Sequence, residues 1–347
     1  MRTYLFGAAL ALAMGMAGAA HAQLVIDGET ITSAENLAAG KAEGRLVHYG
    51  AYPPDAMKII HEAFTADTGI TVDFVRMSTA PLFQRIVSEA AANQLAADIV
   101  DLTDIVMVSE LMDRGILNVP YKVPGFDRIP DDLKDAEGRW YSYINPIWTV
   151  AVNTARIEEA DFPKSWSDLL DPKYDGQLAI VNVDGGSAFS MYSMLREKIS
   201  DTFWQDLAAR KPRVYESVSP LTADLARGDV GIAITAPEPV MLQIAAGAPL
   251  KTFYFDEGTP SFPDAGGITA TAKHPNAAKV FLDWITSKRG GDAVARALAF
   301  GINPDSADPK VEGGDYPARA DLWIFSPETW RRTHQTGREE WRKLMGR

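Results

Sequence analysis

From Arg45 onward, short apolar runs alternate with segments in which apolar residues recur every three or four positions. That alternation predicts a sheet wound with helices on both faces. Leu46 to Tyr49 reads as the first strand. Pro53-Pro54 then opens a helix, where a missing N–H costs nothing; Met57, Ile60 and Phe64 mark its buried stripe and Gly69 ends it. Ile70 to Val75 is a second strand, and Ser78 and Thr79 are N-cap candidates for a helix through Leu82, Phe83, Ile86, Val87 and Ala90. Asp98 to Leu102 is a third strand, and Ile105 to Met112 a helix that Gly115 can terminate.

Trp140 to Asn153 is aromatic and β-branched with Pro146 interrupting it, which predicts a hairpin running into a long strand that leaves the first lobe as a hinge. Beyond it, Ser165-Trp-Ser-Asp168 has capping-box spacing, Gln177 to Asn182 is a strand and Ser187 opens another helix. The second winding continues through helices near Thr202 to Arg210 and Leu221 to Arg227, a strand at Val230 to Thr235, a helix after Pro237 and a return strand at Leu250 to Phe255. Gly266-Gly267, the strand Ile268 to Ala272 and the helix Pro275 to Ser287 rejoin the first lobe, with Lys288 and Arg289 suiting that helix's C-terminus. The expected division is residues 23–150 and 255–305 in lobe 1 and 151–254 in lobe 2, with crossings near Trp148 and Tyr254. Residues 306–347 form an extension whose Trp323, Trp330 and Trp341 are expected to pack on the outside of a lobe.

Length supports two lobes, since 347 residues exceed what one hydrophobic core usually holds. The absence of Cys excludes disulfides, thiolate metal sites, thiol nucleophiles and a lipidated N-terminal Cys. Residues 1–22 read as a cleaved secretory signal: Arg2 is their only charge, Tyr4 to Ala20 is rich in Ala, Leu, Met and Gly, and Ala20-His21-Ala22 offers a processing site. That run is shorter and less apolar than a stable membrane span. The formal charge of −12, one unit more negative without Arg2, argues against nucleic acid or anionic lipid as a partner. It says little about ligand charge, because a pocket is a local matter.

Three stretches are more specific: Phe64-Thr-Ala-Asp-Thr-Gly69, Phe162-Pro-Lys-Ser-Trp-Ser-Asp-Leu-Leu-Asp-Pro-Lys-Tyr-Asp-Gly176 and Lys273-His-Pro-Asn-Ala-Ala-Lys-Val-Phe-Leu-Asp-Trp284. In these the chain resembles the extracellular solute-binding family that includes periplasmic iron(III)-binding proteins and importers of small organic anions. The resemblance implies an α/β, two-lobed periplasmic-binding-protein fold with two hinge crossings and an interlobe ligand cleft. It also implies a periplasmic monomer that closes on a small-molecule solute and is read by an ABC transporter permease in the inner membrane.

In open α/β sheets, ligands sit beyond the carboxyl ends of the strands. In the first lobe those loops carry Gly50, Ala51 and Tyr52, then Arg76, Ser78 and Thr79, then Thr103 and Asp104. Ser78, Thr79 and Asp104 are equally helix caps, and Arg76 is the candidate cation for a carboxylate or phosphate. In the second lobe Asp184-Gly-Gly-Ser-Ala188 joins a strand to a helix, so Gly186, Ser187 and Ala188 offer backbone N–H groups to an anion. An ordinary Gly-rich turn reads the same way. Trp148 and Tyr52 either stack on a ligand or pack the joint.

Iron(III) binders in this family place adjacent tyrosines where this chain has Thr235-Ala-Pro-Glu-Pro-Val240, leaving Glu238 as the anionic group of that loop. Ferric iron is therefore second to a small organic anion such as a carboxylate, phosphonate or sugar phosphate, although Tyr49, Tyr52 and Tyr254 keep it open. His48 reads as structural, and no metal or cofactor is expected. No Gly-x-Ser-x-Gly elbow, His-Glu-x-x-His or phosphate-loop Lys is present, which argues against an enzyme. A binding protein that reports to a membrane sensor is the alternative of another class.

Overall fold

The computed structural model describes residues 23–183, 187–311, 316–324 and 327–346, with side chains in the last stretch from Thr336 onward. The described chain opens with an antiparallel pair, β1 (Leu24–Ile26) and β2 (Glu29–Thr32), and helix α1 (Ala34–Glu43), which Ser33 caps by accepting from Asn36 N. Parallel winding follows: β3 (Arg45–Gly50), α2 (Pro54–Thr68), β4 (Thr71–Arg76), α3 (Thr79–Ala91), β5 (Ile99–Leu102) and α4 (Ile105–Asp113). β3 pairs with β4 on one side and β5 on the other, both parallel. The helix signals act where expected. Pro54 occupies the first turn of α2, Met57, Ile60 and Phe64 are fully buried, and Gly69 closes the helix at φ 77°.

The aromatic segment expected to be a hairpin is not one. β6 (Tyr141–Asn145) and β7 (Thr149–Asn153) lie in different sheets, because Pro146-Ile147-Trp148 carries the chain from one lobe to the other. The second lobe then winds as β8 (Leu178–Val181), α5 (Ala188–Lys198), α6 (Phe203–Ala209), β9 (Arg213–Tyr215), α7 (Val218–Arg227), β10 (Ile232–Thr235), α8 (Pro237–Ala245) and β11 (Leu250–Phe253). Its sheet has the order β11-β7-β10-β8-β9, with β8 parallel to β9 and β10 and with β7 antiparallel to both β10 and β11.

The chain returns through β12 (Thr259–Ser261) into β13 (Asp264–Ile268), then α9 (Pro275–Ile285), α10 (Lys288–Arg296) and β14 (Phe300–Gly301). The first sheet thus has the order β14-β6-β13-β5-β3-β4. Gly266 and Gly267 are inside β13 and do not precede a strand: a Cβ on Gly266 would lie 1.9 Å from Val100 O, and one on Gly267 2.1 Å from Arg139 O. Lys288 and Arg289 do not end α9. Ser287 accepts from Gly290 N at 3.1 Å and starts α10 there, so Arg289 turns to Asp67, with Nε 2.8 Å from Oδ2.

The two crossings are bonded to each other. Trp148 N donates to Pro260 O at 2.9 Å and Phe262 N donates to Pro146 O at 3.0 Å. One apolar cluster, with Leu46, Phe64, Phe281 and Trp284, fills the α2 and α9 side of the first sheet. A second runs from α3 and α4 through Trp148 into the second lobe, so apolar packing is continuous across the hinge. The chain ends in β15 (Leu322–Ile324), parallel to β12, and α11 (Pro327–Leu344). Trp341 is fully buried in that second cluster and does not merely rest on a surface. Among the described residues no helix is long and apolar enough to cross a membrane.

Candidate functional site

The segments that follow β3 and β10 meet at the junction of the lobes in one direct contact. Tyr52, two residues beyond β3, is buried and donates its hydroxyl to Glu238 Oε1 at 3.1 Å. Glu238 is the second residue of α8, next to Pro237. A helix N-terminus favours a carboxylate. Burial nevertheless dominates and lifts the Glu238 carboxyl to about 7. Burial, then the neighbouring Glu238, likewise pushes the Tyr52 hydroxyl well above its ordinary value.

Beneath this contact lies a buried polar chain. Asp101 on β5 receives Tyr143 Oη at 3.0 Å and Ala51 N at 3.2 Å, and it is in close contact with His48 Nε2. His48 Nδ1 meets His61 Nε2 at 3.0 Å. Burial, reinforced by His48, holds the His61 imidazole down to about 3, so His61 is neutral. Burial also pushes Asp101 upward, but the His48 imidazole and the hydrogen bonds outweigh it and keep this carboxyl ionised below the usual range. Asp264, at the start of β13, is fully buried, and burial together with Asp101 raises it well above that range. Two neighbouring carboxyls with displaced affinities therefore hold one proton between them.

Apart from the proton it shares with Asp101, the Asp264 carboxyl has no partner: both of its oxygens are buried and no donor among the described residues reaches them. Other buried polar atoms share that condition, among them Trp148 Nε1 in the first crossing and Thr235 Oγ1 at the tip of β10. Buried polar groups are normally paired, so these three residues stand out as candidate ligand contacts. Around them stand aromatic walls. Trp148 packs on Phe262 at 5.9 Å between centroids, and Tyr316 lies 5.6 Å from Tyr254, with its hydroxyl donated to Leu298 O at 2.6 Å.

The other sequence-derived candidates fall as follows. Arg76 is exposed at the end of β4, the outermost strand of its sheet. Ser78 precedes α3 without a side-chain cap bond, while Thr79 is buried with its hydroxyl 2.7 Å from that of Thr103. Asp104 caps α4, accepting from Val106 N at 3.0 Å and Met107 N at 3.3 Å. Ser187 is half-buried and makes no side-chain cap bond, and buried Ala188 begins α5. Gly186, like Asp184, Gly185 and residues 1–22, lies outside the described residues. Sequence reasoning missed Asp101, Thr235 and Asp264. The available signal was a carboxylate at the mouth of Asp264-Ala-Gly-Gly-Ile268, a run that must pack as a central strand.

Residues 95–322 match the family described as bacterial extracellular solute-binding protein. A Fe(3+)-binding periplasmic protein of Serratia marcescens is 25% identical over 271 residues, covering 76% of this chain and 79% of its own. Among solved structures, the periplasmic binding protein AfuA from Actinobacillus pleuropneumoniae, with exogenous fructose-6-phosphate bound, matches with a TM-score of 0.72 at 21% identity, over 88% of this chain and 99% of that one. Iron-bound HitA from Pseudomonas aeruginosa matches at 0.69 with 20% identity, over 87% and 98%. These likenesses carry the two-lobed fold, and the family match spans both crossings and the entire second sheet. The chain belongs to the bacterial extracellular solute-binding proteins.

Proposed function

We propose that the chain is the periplasmic solute-capturing component of an ABC importer, and that its cargo is a small organic anion bearing hydroxyl groups, of the sugar-phosphate kind. The observation that carries this is the set of orphaned atoms at the lobe junction: the Asp264 carboxyl, which while it keeps its proton offers both a donor and an acceptor, a donor on Trp148 Nε1, and Thr235 Oγ1, which does either. Leaving such atoms unpaired costs about 1–3 kcal/mol each. A hydroxylated solute recovers that cost, and Trp148 gives its carbon skeleton an aromatic wall. The anionic end fits the first turn of α5, where the backbone N–H groups of Ser187 and Ala188 and the helix dipole favour negative charge. A relative bound to fructose-6-phosphate supports the same reading.

Ferric iron is the second reading. Its specific support is the Tyr52 and Glu238 contact at 3.1 Å with the Tyr254 and Tyr316 rings in the same region, together with the iron-binding relatives. Among the described residues no group of three His, Asp or Glu could hold a metal ion. Iron would therefore depend on phenolates.

Calorimetry with hexose 6-phosphates, simple carboxylates and ferric citrate separates the readings. Hexose phosphate is expected to bind and raise the melting temperature; binding of ferric ion alone, with a visible phenolate charge-transfer band, overturns the organic-anion reading. Ser187→Asp places a negative charge at the anion seat and is expected to weaken hexose-phosphate binding at least about tenfold, roughly 1.4 kcal/mol. Unchanged affinity removes Ser187 from the site. Radiolabelled uptake in a deletion strain distinguishes permease from sensor: lost uptake supports transport, whereas intact uptake with a lost transcriptional response supports signalling.

A further inference from the structure

The segment after the first sheet is a third link between the lobes. Arg319 Nη1 donates to Gly301 O at 2.6 Å on the edge of the first sheet, while Trp323 packs on Trp166 of the second lobe at 6.4 Å between centroids. α11 then lies across both lobes, against α4 on one side and α5 and α6 on the other.

Its two attachments differ in kind. On the second lobe the grip is broad. Gln205 Nε2 donates to Glu340 Oε1 at 3.3 Å, and Arg196 pairs with the same carboxylate. Gly337 lies so close to α5 that a Cβ there would come 3.0 Å from two ring carbons of Phe189 and 3.2 Å from Tyr192. On the first lobe the attachment includes a buried ion pair: Arg338 Nη2 donates to Asp104 Oδ2 at 3.1 Å. The Asp104 side chain is fully buried and that of Arg338 only 16% exposed. The same guanidinium lies 5.4 Å above the ring of Phe189, so one side chain touches the first helical turn beyond a strand tip in each lobe.

We infer that α11 moves with the second lobe and that Arg338 is a positioning residue, a latch that holds the lobes together through Asp104. Separating the lobes breaks this ion pair, whereas the contacts of Gly337 and Glu340 with α5 and α6 stay intact. The ligand-free protein is therefore weighted toward the closed arrangement, and capture of any solute competes with the latch for the same motion. This goes beyond the cargo assignment and does not rest on it.

The absence of Cys gives a direct test, since thiols introduced by Lys58→Cys in the first lobe and Ala245→Cys in the second, both exposed, are the only ones in the chain. Pulsed electron paramagnetic resonance on the spin-labelled, ligand-free full chain is expected to show one short interlobe distance. Arg338→Gln is expected to add a longer-distance population. Gly337→Val, which alters no charge and lifts α11 from Phe189, is expected to do the same, and it carries the test alone if Arg338→Gln fails to fold. A parent already divided between two distances, or folded variants that keep the parent distribution, overturns the latch.

Discussion

Replacing Glu238 by glutamine will stabilise the ligand-free protein at pH 8 and leave it nearly unchanged at pH 4.5. The sign follows from the direction of the shift. The unfolded chain gives up this proton near 4.5, whereas burial makes the folded carboxyl keep it to about 7. Between those values the folded state binds more protons, so stability falls as pH rises through the window and stays low above it. At about 1.4 kcal/mol per pKa unit, the penalty at neutral pH is roughly 3 kcal/mol, an upper figure for a side chain that is partly exposed. Glutamine carries no such penalty and keeps an oxygen for the Tyr52 hydroxyl. Urea unfolding at the two pH values measures the difference; identical slopes of stability against pH in both proteins mean that Glu238 does not hold that proton. Slope left in the variant comes from the other displaced groups, among them Asp264 and Asp283, raised like Glu238, and His61, whose lowered value acts with the opposite sign. The variant should also bind solute more weakly, because an amide accepts fewer hydrogen bonds than a carboxylate. Stability gained at the expense of binding is what a strained ligand site predicts.

The alternation of strands and helices was legible because local periodicity and terminal signals carried it. Pro54 and Gly69 bound α2 in the sequence and in the fold alike. Pairing was not legible. β6 and β7 are neighbours in sequence, yet β6 pairs with β13 and β7 with β10 and β11, partners that no local pattern names. Pro146 is compatible with a hairpin bend or a crossing, and distant strands decided between them. The same limit applies to the site. Tyr52 and Glu238 were reachable as strand-tip residues, and they meet. Arg76 satisfied that rule too, but β4 is the outermost strand, and strand order is a tertiary fact. Asp264 was passed over because its meaning comes from Asp101, brought beside it only when β13 inserts against β5.

That insertion makes Gly266→Ala a severely damaging substitution despite its small size. β13 is held between β5 and β6, and Gly266 stands opposite Asp101 on one neighbour and Tyr141 on the other. A methyl group at this position would lie 1.9 Å from Val100 O and 2.7 Å from Asp101 Cα, both backbone atoms of a fully buried strand. No rotamer relieves a clash with main chain, so β13 must leave its register or the sheet must part. A loss above about 4 kcal/mol is expected, read as little soluble protein or a strongly lowered denaturant midpoint. Gly69→Ala is the control. Gly69 has φ 77° but nothing within 4 Å of its added Cβ, so only backbone strain is introduced, about 1 kcal/mol. A Gly266→Ala protein as stable as the control would contradict the pairing of β13 with β5. If the variant folds by displacing β13, Asp264 moves away from Asp101, and the proton they share goes with the geometry that held it. Solute binding should then disappear even in the fraction that remains soluble.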